Sequence, residues 1–258
     1  MNRNDFIQYN NIVYSIYSKQ QFDEMKNCVL KGIQALIPCT FASFLTCKTS
    51  DGYKGLCSPV CYPETYTPVE RLYLQLEQND LSKWMCDESE SDVFRITDLL
   101  SEEERRNNII YQKCYLPYNL KYSVYSNLVH KGIPLGVLSL YRANDMNDFG
   151  ENDMFLLKSL SKHINSRFYQ EQAKTDSMEE KSKHRAIAFS SEYGLTMREL
   201  EIFLALSSEE NNQTLANRLF ISESTLKKHL QSLYRKTNVN RKLELIHLKD
   251  SVTNQKCF

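Results

Sequence analysis

Between Ser222 and Lys236 the chain carries a row of long side chains able to donate hydrogen bonds: Lys227, Lys228, Gln231, Arg235 and Lys236. Ammonium, guanidinium and amide groups suit two tasks on a nucleic acid, neutralising phosphates and reading base edges. The stretch that holds them reads as a helix. Ser222 stands at its N-cap, where a hydroxyl accepts from an otherwise unpaired first-turn amide, with Thr225 at the third helical position. Leu226, Leu230, Leu233 and Tyr234 recur every three to four residues as one buried stripe, so the donors fall on the opposite face. A shorter helical run, 213–219, precedes it across a tight connection through Phe220 and Ile221. Short helix, tight turn and basic helix form the layout of a helix-turn-helix reader. The competing reading is a helical hairpin whose lysines only keep its surface solvated.

Charge balance separates the two. The chain has 32 Lys plus Arg and 32 Asp plus Glu, so affinity for a polyanion has to come from clustering. Between Glu223 and Lys249, seven Lys or Arg stand against two Glu, a local excess of five positive charges, with His229 and His247 in addition. The positive charge sits where a phosphate-binding surface needs it. At 258 residues, 41% hydrophobic and 25% charged, the chain has the size and balance of two ordinary globular domains.

The N-terminal twenty residues, MNRNDFIQYNNIVYSIYSKQ, lack the apolar run and small-residue cleavage site of a signal peptide, and no segment reads as a membrane span. A cytoplasmic protein with reduced, mostly buried thiols is expected. The eight cysteines (28, 39, 47, 57, 61, 86, 114, 257) show no CxxC pair and no zinc spacing. Cys57 and Cys61 are the one close pair that could be redox-active or hold a metal.

The elements follow from periodicity. Helices are expected over 3–18 and 21–37, the second on the stripe Phe22, Met25, Val29, Ile33 and Leu36. Residues 41–46 read as a strand, followed by a turn at Asp51-Gly52 and a loop holding Gly55, Pro59, Pro63 and Pro68. A helix over 69–78 and a capping box at Ser101–Glu104 come next. Residues 122–129 and 135–141 form a β-hairpin about Lys131-Gly132. A long helix from Glu151 turns Phe155, Leu156, Leu157, Leu160, Ile164 and Phe168 inward. From 171 the apolar stripe gives way to dense charge, a helical connector or a tether. The expected division is a sensor or dimerisation domain over 1–170, a charged helical linker over 171–189 and an all-α domain over 190–258. In the last, a second capping box at Thr196–Glu199 starts a helix burying Leu200, Phe203, Leu204 and Leu206, and Asn211 caps the run 213–219. A fourth helix, 241–250, carries Leu243, Leu245, Ile246 and Leu248, enough apolar surface for a self-association face.

The runs LTMRELEIF, TLANRLFISESTLKKHLQSLYRKTNV and NRKLEL resemble the LuxR-type (GerE-like) DNA-binding domain of bacterial transcription regulators. Leu195, Thr196, Arg198, Glu199, Ala216, Leu219, Ile221, Ser222, Thr225, Lys227, His229, Lys236 and Val239 occupy its pattern positions. Leu226 and Thr237 depart from the usual Val and Leu, and 209–211 replace a Gly-containing turn. The resemblance implies a four-helix domain in which Lys227, Lys228 and Gln231 read bases in the major groove. Ser224, Thr225, Arg235, Lys236 and Lys242 then serve phosphate contact and positioning, while His229 supports the helix more than it reads a base. More loosely, LGVLSLYR and DFGENDMFLLKSLSKHI resemble the closing strand and last helix of GAF domains. That implies an α+β N-terminal domain, an antiparallel sheet flanked by helices.

Together the resemblances imply a DNA-binding transcription regulator with double-stranded DNA and a second copy of itself as partners. They imply no membrane, cofactor, metal or catalytic residue. A small-molecule effector would sit in the N-terminal domain, where Tyr62, Tyr66, Tyr73, Trp84, Tyr111, Tyr115, Tyr118, Tyr122 and Tyr125 could line a pocket or simply fill a core; no single ligand contact is assigned. The acyl-homoserine-lactone pattern of other LuxR-type proteins is not legible around Tyr62–Trp84, nor is the acidic cluster of a phosphoacceptor domain. The alternatives are a regulator controlled by a protein partner or by expression level, and a GAF-type cysteine reductase using Cys57 and Cys61.

Overall fold

The computed structural model describes residues 3–50, 53–81 and 88–253, with the backbone alone for 48–50, 53, 54 and 179. The turn at Asp51-Gly52, Trp84, Cys86 and Cys257 lie outside the described residues. The chain divides into two compact units, Met1–Gln172 and Ala173–Phe258.

The first unit opens with α1 (Arg3–Ser18) and α2 (Phe22–Leu36), followed by β1 (Phe41–Ser50), β2 (Tyr53–Tyr62) and α3 (Thr67–Leu76). Next come β3 (Val93–Arg95), the short α4 (Ile96–Leu99) and α5 (Glu102–Asn107), the hairpin β4 (Leu120–His130) and β5 (Ile133–Ala143), and the long α6 (Glu151–Glu192). The strands form one antiparallel sheet in the order β2-β1-β5-β4-β3. Because successive side chains in a strand point to opposite faces, the sheet supports two cores. On one face Phe44, Val124, Leu138 and Leu140 meet Ile12 and Ile16 of α1, Met25, Val29 and Ile33 of α2, and Leu157, Leu160, Ile164 and Phe168 of α6. On the other, Cys61, Tyr125, Val137 and Tyr141 meet Tyr66, Val69, Ile110 and Cys114. The α+β expectation, an antiparallel sheet flanked by helices, holds.

Several local expectations need correction. Gly55 and Pro59 belong to strand β2, not to a loop, and Pro68 lies in the first turn of α3. A proline is tolerated in β2 because that strand is the sheet edge, and Ser58, at φ 52°, sits at a break in register that hides the alternation. Phe155 points to solvent while its five companions on α6 are buried. The expected linker 171–189 is helical throughout as part of α6, and its last residues are not linker: Ala186 and Phe189 are buried in the core of the second unit.

The second unit contains the end of α6, α7 (Met197–Ala205), α8 (Asn212–Arg218), α9 (Glu223–Thr237) and α10 (Lys242–Thr253). Leu200, Ile202, Phe203, Leu215, Ala216, Leu226, Leu230, Leu233 and Leu245 build its core. Leu204, expected inside, is exposed, and Ile202 takes that place. On α10, Leu245 and Ile246 are consumed by the core and Leu248 is half-buried, which leaves Leu243 alone exposed and no broad apolar face. The guanidinium of Arg185 donates to the carbonyls of Val252 and Thr253, both at 2.9 Å, and so satisfies the C-terminal end of α10. Among the described residues no helix is long and apolar enough to cross a membrane.

Candidate nucleic-acid interface

The junction between α8 and α9 is closed by backbone chemistry. The amide of Ile221 donates to the Ala216 carbonyl at 3.0 Å and that of Phe220 to the Asn217 carbonyl at 3.1 Å. This is a Schellman closure, which needs one residue in the left-handed region. Phe220 supplies it at φ 55°, with its ring 95% exposed. Ser222 then caps α9, its hydroxyl accepting from the Thr225 amide at 3.1 Å. Asn211 caps α8 in the same way, at 2.9 Å from the Thr214 amide.

With Leu226, Leu230 and Leu233 buried, the outer face of α9 presents Ser224, Lys227, Lys228, Gln231 and Arg235 in one exposed stripe. Lys227 pairs with Glu223 at 2.7 Å, but both side chains are open to water, where such a pair contributes under about 1 kcal/mol and is readily exchanged. Lys228, Gln231 and Arg235 make no hydrogen bond or ion pair among the described residues. Thr225 is half-buried and its hydroxyl is shared with Ser222 at 2.8 Å, which suits the cap more than an outside contact.

Two of the expected phosphate contacts are placed differently. The Lys236 ammonium turns inward, donating to the Glu199 carboxylate at 2.7 Å and to the Gly194 carbonyl at 2.8 Å. Lys242 donates to the Glu210 carbonyl at 2.7 Å. Lys249 likewise donates to the Leu206 carbonyl. Three of the seven local cations are thus engaged in holding helices together, a use that counting charges could not distinguish from phosphate binding.

The two helices are aimed by the motif that begins α7. Glu199 completes the Thr196 capping box and also receives Lys236 of α9. Burial alone would raise its carboxyl, but hydrogen bonds from Lys236, Ser232 and Thr196 outweigh burial and bring it down to about 2. Its neighbour Arg198 donates to the Leu219 carbonyl at 2.7 Å, holding the chain just before the Phe220 turn. One residue grips the turn and the next grips the last third of α9.

In the first unit, Tyr111, Tyr115, Tyr122, Tyr125 and Tyr141 surround a cavity of about 30 Å³ that also touches Asp80 and Arg105. It has room for one or two waters, against the several hundred Å³ of a small-molecule site. Here the tyrosines fill a core. Tyr66 is buried in the same layer, Tyr62 packs on the opposite face of the sheet, and Tyr118 is exposed. Beyond the Arg105 and Tyr111 wall lies an open groove of about 540 Å³ lined by Glu102, Arg106, Gln112, Leu116 and Asn119. The sequence reading missed Glu70, which is fully buried and accepts from Ser43 at 2.5 Å and Tyr141 at 3.2 Å. Burial pushes its carboxyl up to about 7 despite those two donors. Its place in a polar-looking segment of α3 gives no signal in the sequence.

Cys57 and Cys61 do not form a redox pair. Through their partners on β1, Thr46 and Ser43, they lie three residues apart along the sheet, roughly 10 Å, where a disulfide needs Cα atoms within about 7 Å. Burial also pushes the Cys61 thiol up to about 12, away from the reactive thiolate. Among the described residues no cluster of His, Cys, Asp and Glu could hold a metal ion.

Residues 194–249 match the family described as bacterial regulatory proteins, luxR family. This segment is a luxR-family domain. The match begins at Gly194, which lies just after α6 and whose carbonyl accepts from Lys236, and ends at Lys249, so it covers α7, α8, α9 and the greater part of α10. No curated protein matches the chain in sequence. Among solved structures, Escherichia coli SdiA is 14% identical at TM-score 0.43, covering 96% of this chain and 97% of its own. The LBD domain of VqsR from Pseudomonas aeruginosa is 16% identical at TM-score 0.47, covering 65% and 96%. The GAF domain of a phosphoenolpyruvate-protein phosphotransferase from Coxiella burnetii is 11% identical at TM-score 0.47, covering 67% and 97%. In the luxR-family domain of this chain, the outward stripe of α9 gathers Lys228, Gln231 and Arg235, which make no hydrogen bond or ion pair among the described residues, beside the water-exposed pair of Lys227 with Glu223.

Proposed function

We infer that the protein is a sequence-specific, DNA-binding regulator of transcription, with α9 entering the major groove. The observation that carries this reading is the exposed stripe Ser224, Lys227, Lys228, Gln231 and Arg235 on the second helix of a capped helix-turn-helix. Lys227 and Lys228 are suited to guanine O6 and N7, and Gln231 to adenine N6 and N7. Ser224 and Arg235 flank them and are suited to phosphate. Lys236 and Lys242 support the domain from inside, and Thr225 supports the cap. Binding assays on operator fragments from the chain's own promoter region, with single alanine variants along α9 at fixed salt, test this assignment.

The N-terminal unit supplies control, by dimerisation and by a small molecule admitted to the tyrosine-lined layer. Admission requires the Arg105 and Tyr111 wall, where the guanidinium stacks 4.4 Å from the ring centroid, to move toward the open groove. The signal would then pass along α6, which runs from the first unit into the second. A shift in thermal stability of the intact protein on addition of a metabolite, coupled to altered operator affinity, tests this part. Control by a protein partner alone predicts no such shift with any small molecule.

A further inference from the structure

Glu223 is the one acidic side chain of α9, in the company of Lys227, Lys228, Arg235 and Lys236. Other acids near helix starts in this chain serve the backbone. Glu104 and Glu199 close the caps of α5 and α7, and Glu244 accepts from the Asn240 amide at 2.8 Å. The cap of α9 is complete without Glu223, through the Ser222 hydroxyl and the Thr225 amide. Among the described residues its polar partner is Lys227, at 2.7 Å, and both side chains stand in water. For a surface that only binds phosphate this carboxylate is a liability, because duplex DNA is densely anionic and the glutamate cancels a cation. The N-terminal turn of a reading helix is also the part that reaches base edges. Glu223, Lys227 and Gln231 follow at four-residue intervals along one side of α9, so the pair stands at the leading end of the row suited to base contact.

The pair has the chemistry that matches one base pair. In the major groove a G·C pair offers guanine N7 and O6 as acceptors and cytosine N4 as a donor. O6 and N4 are hydrogen-bonded to each other and so lie about 2.9 Å apart. The Lys227 ammonium and the Glu223 carboxylate are 2.7 Å apart, nearly the same spacing. An ammonium on O6 and N7 with a carboxylate on N4 satisfies all three groups. With A·T in the same place the order inverts, so that the N6 amine meets the ammonium and the O4 carbonyl meets the carboxylate. Both contacts are then repulsive, a stronger rejection than a lone lysine gives. On unrelated sequences the two side chains keep each other, and Lys227 adds little to the attraction of phosphate.

We propose that Glu223 is a specificity-determining residue, acting with Lys227 as a donor–acceptor pair that reads a single G·C base pair and blunts binding elsewhere. This rests on the reading of α9 as the helix that enters the major groove. Selection of duplexes from a random pool by the full chain, followed by sequencing, tests it with wild type, Lys227→Ala, Glu223→Ala and Glu223→Asp. Wild type is expected to enrich a motif in which Lys227→Ala relaxes one G·C pair and Glu223→Ala relaxes that same pair. In fluorescence anisotropy on the enriched duplex, replacing that pair by A·T should weaken wild-type binding by about tenfold or more, and Glu223→Ala binding by only about two- to threefold. Glu223→Ala should also bind an unrelated duplex several-fold more tightly, with a steeper salt dependence. Glu223→Asp keeps the charge and its favourable place at the helix start, but its carboxylate is one methylene short. It should lose the base preference as Glu223→Ala does, while staying as weak as wild type on the unrelated duplex. A glutamate that only steadies the helix would shift the melting curve and leave base preference alone, which overturns the proposal. So does a Lys227-dependent pair that is not G·C, or one untouched by both Glu223 variants. A wild type that enriches no motif overturns the functional reading and this inference with it, whereas an enriched motif that ignores Glu223 overturns this inference alone.

Discussion

Glu199 serves two structures at once, closing the cap of α7 and receiving Lys236 from α9. Its folded value of about 2 lies below the ordinary 4.5, so the unfolded chain takes up the proton first. The stabilisation is therefore complete above pH 4.5 and lost as pH falls from there toward 2. Glu199→Gln should cost about 2 kcal/mol at pH 7 and flatten that acid limb, measured by denaturant unfolding across pH. Glu70 runs the other way. Held near 7 in the fold, it favours its protonated form, so its cost is absent below pH 4.5 and complete above pH 7. Glu70→Gln should gain stability over wild type as pH rises from 5 to 7.5, reaching roughly 1–3 kcal/mol. A difference that does not change with pH would place the titration elsewhere. Neither carboxylate announced this in the sequence: Glu199 was legible as a cap because its partner is three residues away, whereas Lys236 and Tyr141 are distant along the chain.

At the level of elements, legibility followed the length and regularity of the pattern. The α2 and α9 stripes, the α6 stripe apart from Phe155, the β4–β5 hairpin and the caps at Ser101, Thr196, Asn211 and Ser222 are short-range signals and appear as expected. Strand β2 was hidden because Gly55, Ser58 and Pro59 look like a loop, and only pairing with β1 makes them a strand. Two backbone positions carry predictions. A Cβ on Gly136 would lie 2.2 Å from the Leu45 carbonyl oxygen, so Gly136→Ala must separate β1 from β5 and should destabilise the sheet by about 2–4 kcal/mol in unfolding experiments. Phe220 holds a left-handed conformation with nothing packed on its ring, so Phe220→Gly should raise the melting temperature of the second unit, a gain of about 1 kcal/mol. A loss instead would mean that the exposed ring has a partner in the folded chain.

Across the whole molecule, the two units divide the physical work. The first carries a double-faced sheet with a tyrosine-lined layer closed to all but water-sized space, and a first helix with Phe6, Ile7, Tyr14 and Tyr17 exposed. The second gathers seven Lys or Arg between Glu223 and Lys249 but uses three of them internally, so the outward charge of that segment narrows to Lys227, Lys228, Arg235 and Arg241. Net neutrality of the chain therefore coexists with a local surface fit for phosphate, and affinity should fall steeply with salt.

The central claim, that the outer stripe of α9 reads DNA while its inner cations only hold the domain together, is tested most directly by fluorescence anisotropy on an operator duplex at fixed salt. Lys227→Ala is predicted to lose about 1–3 kcal/mol of site affinity and to relax preference at one base pair, while Arg235→Ala weakens all sequences alike and lowers the salt slope by about one. Lys227→Ala binding with unchanged affinity and unchanged base preference would contradict the account.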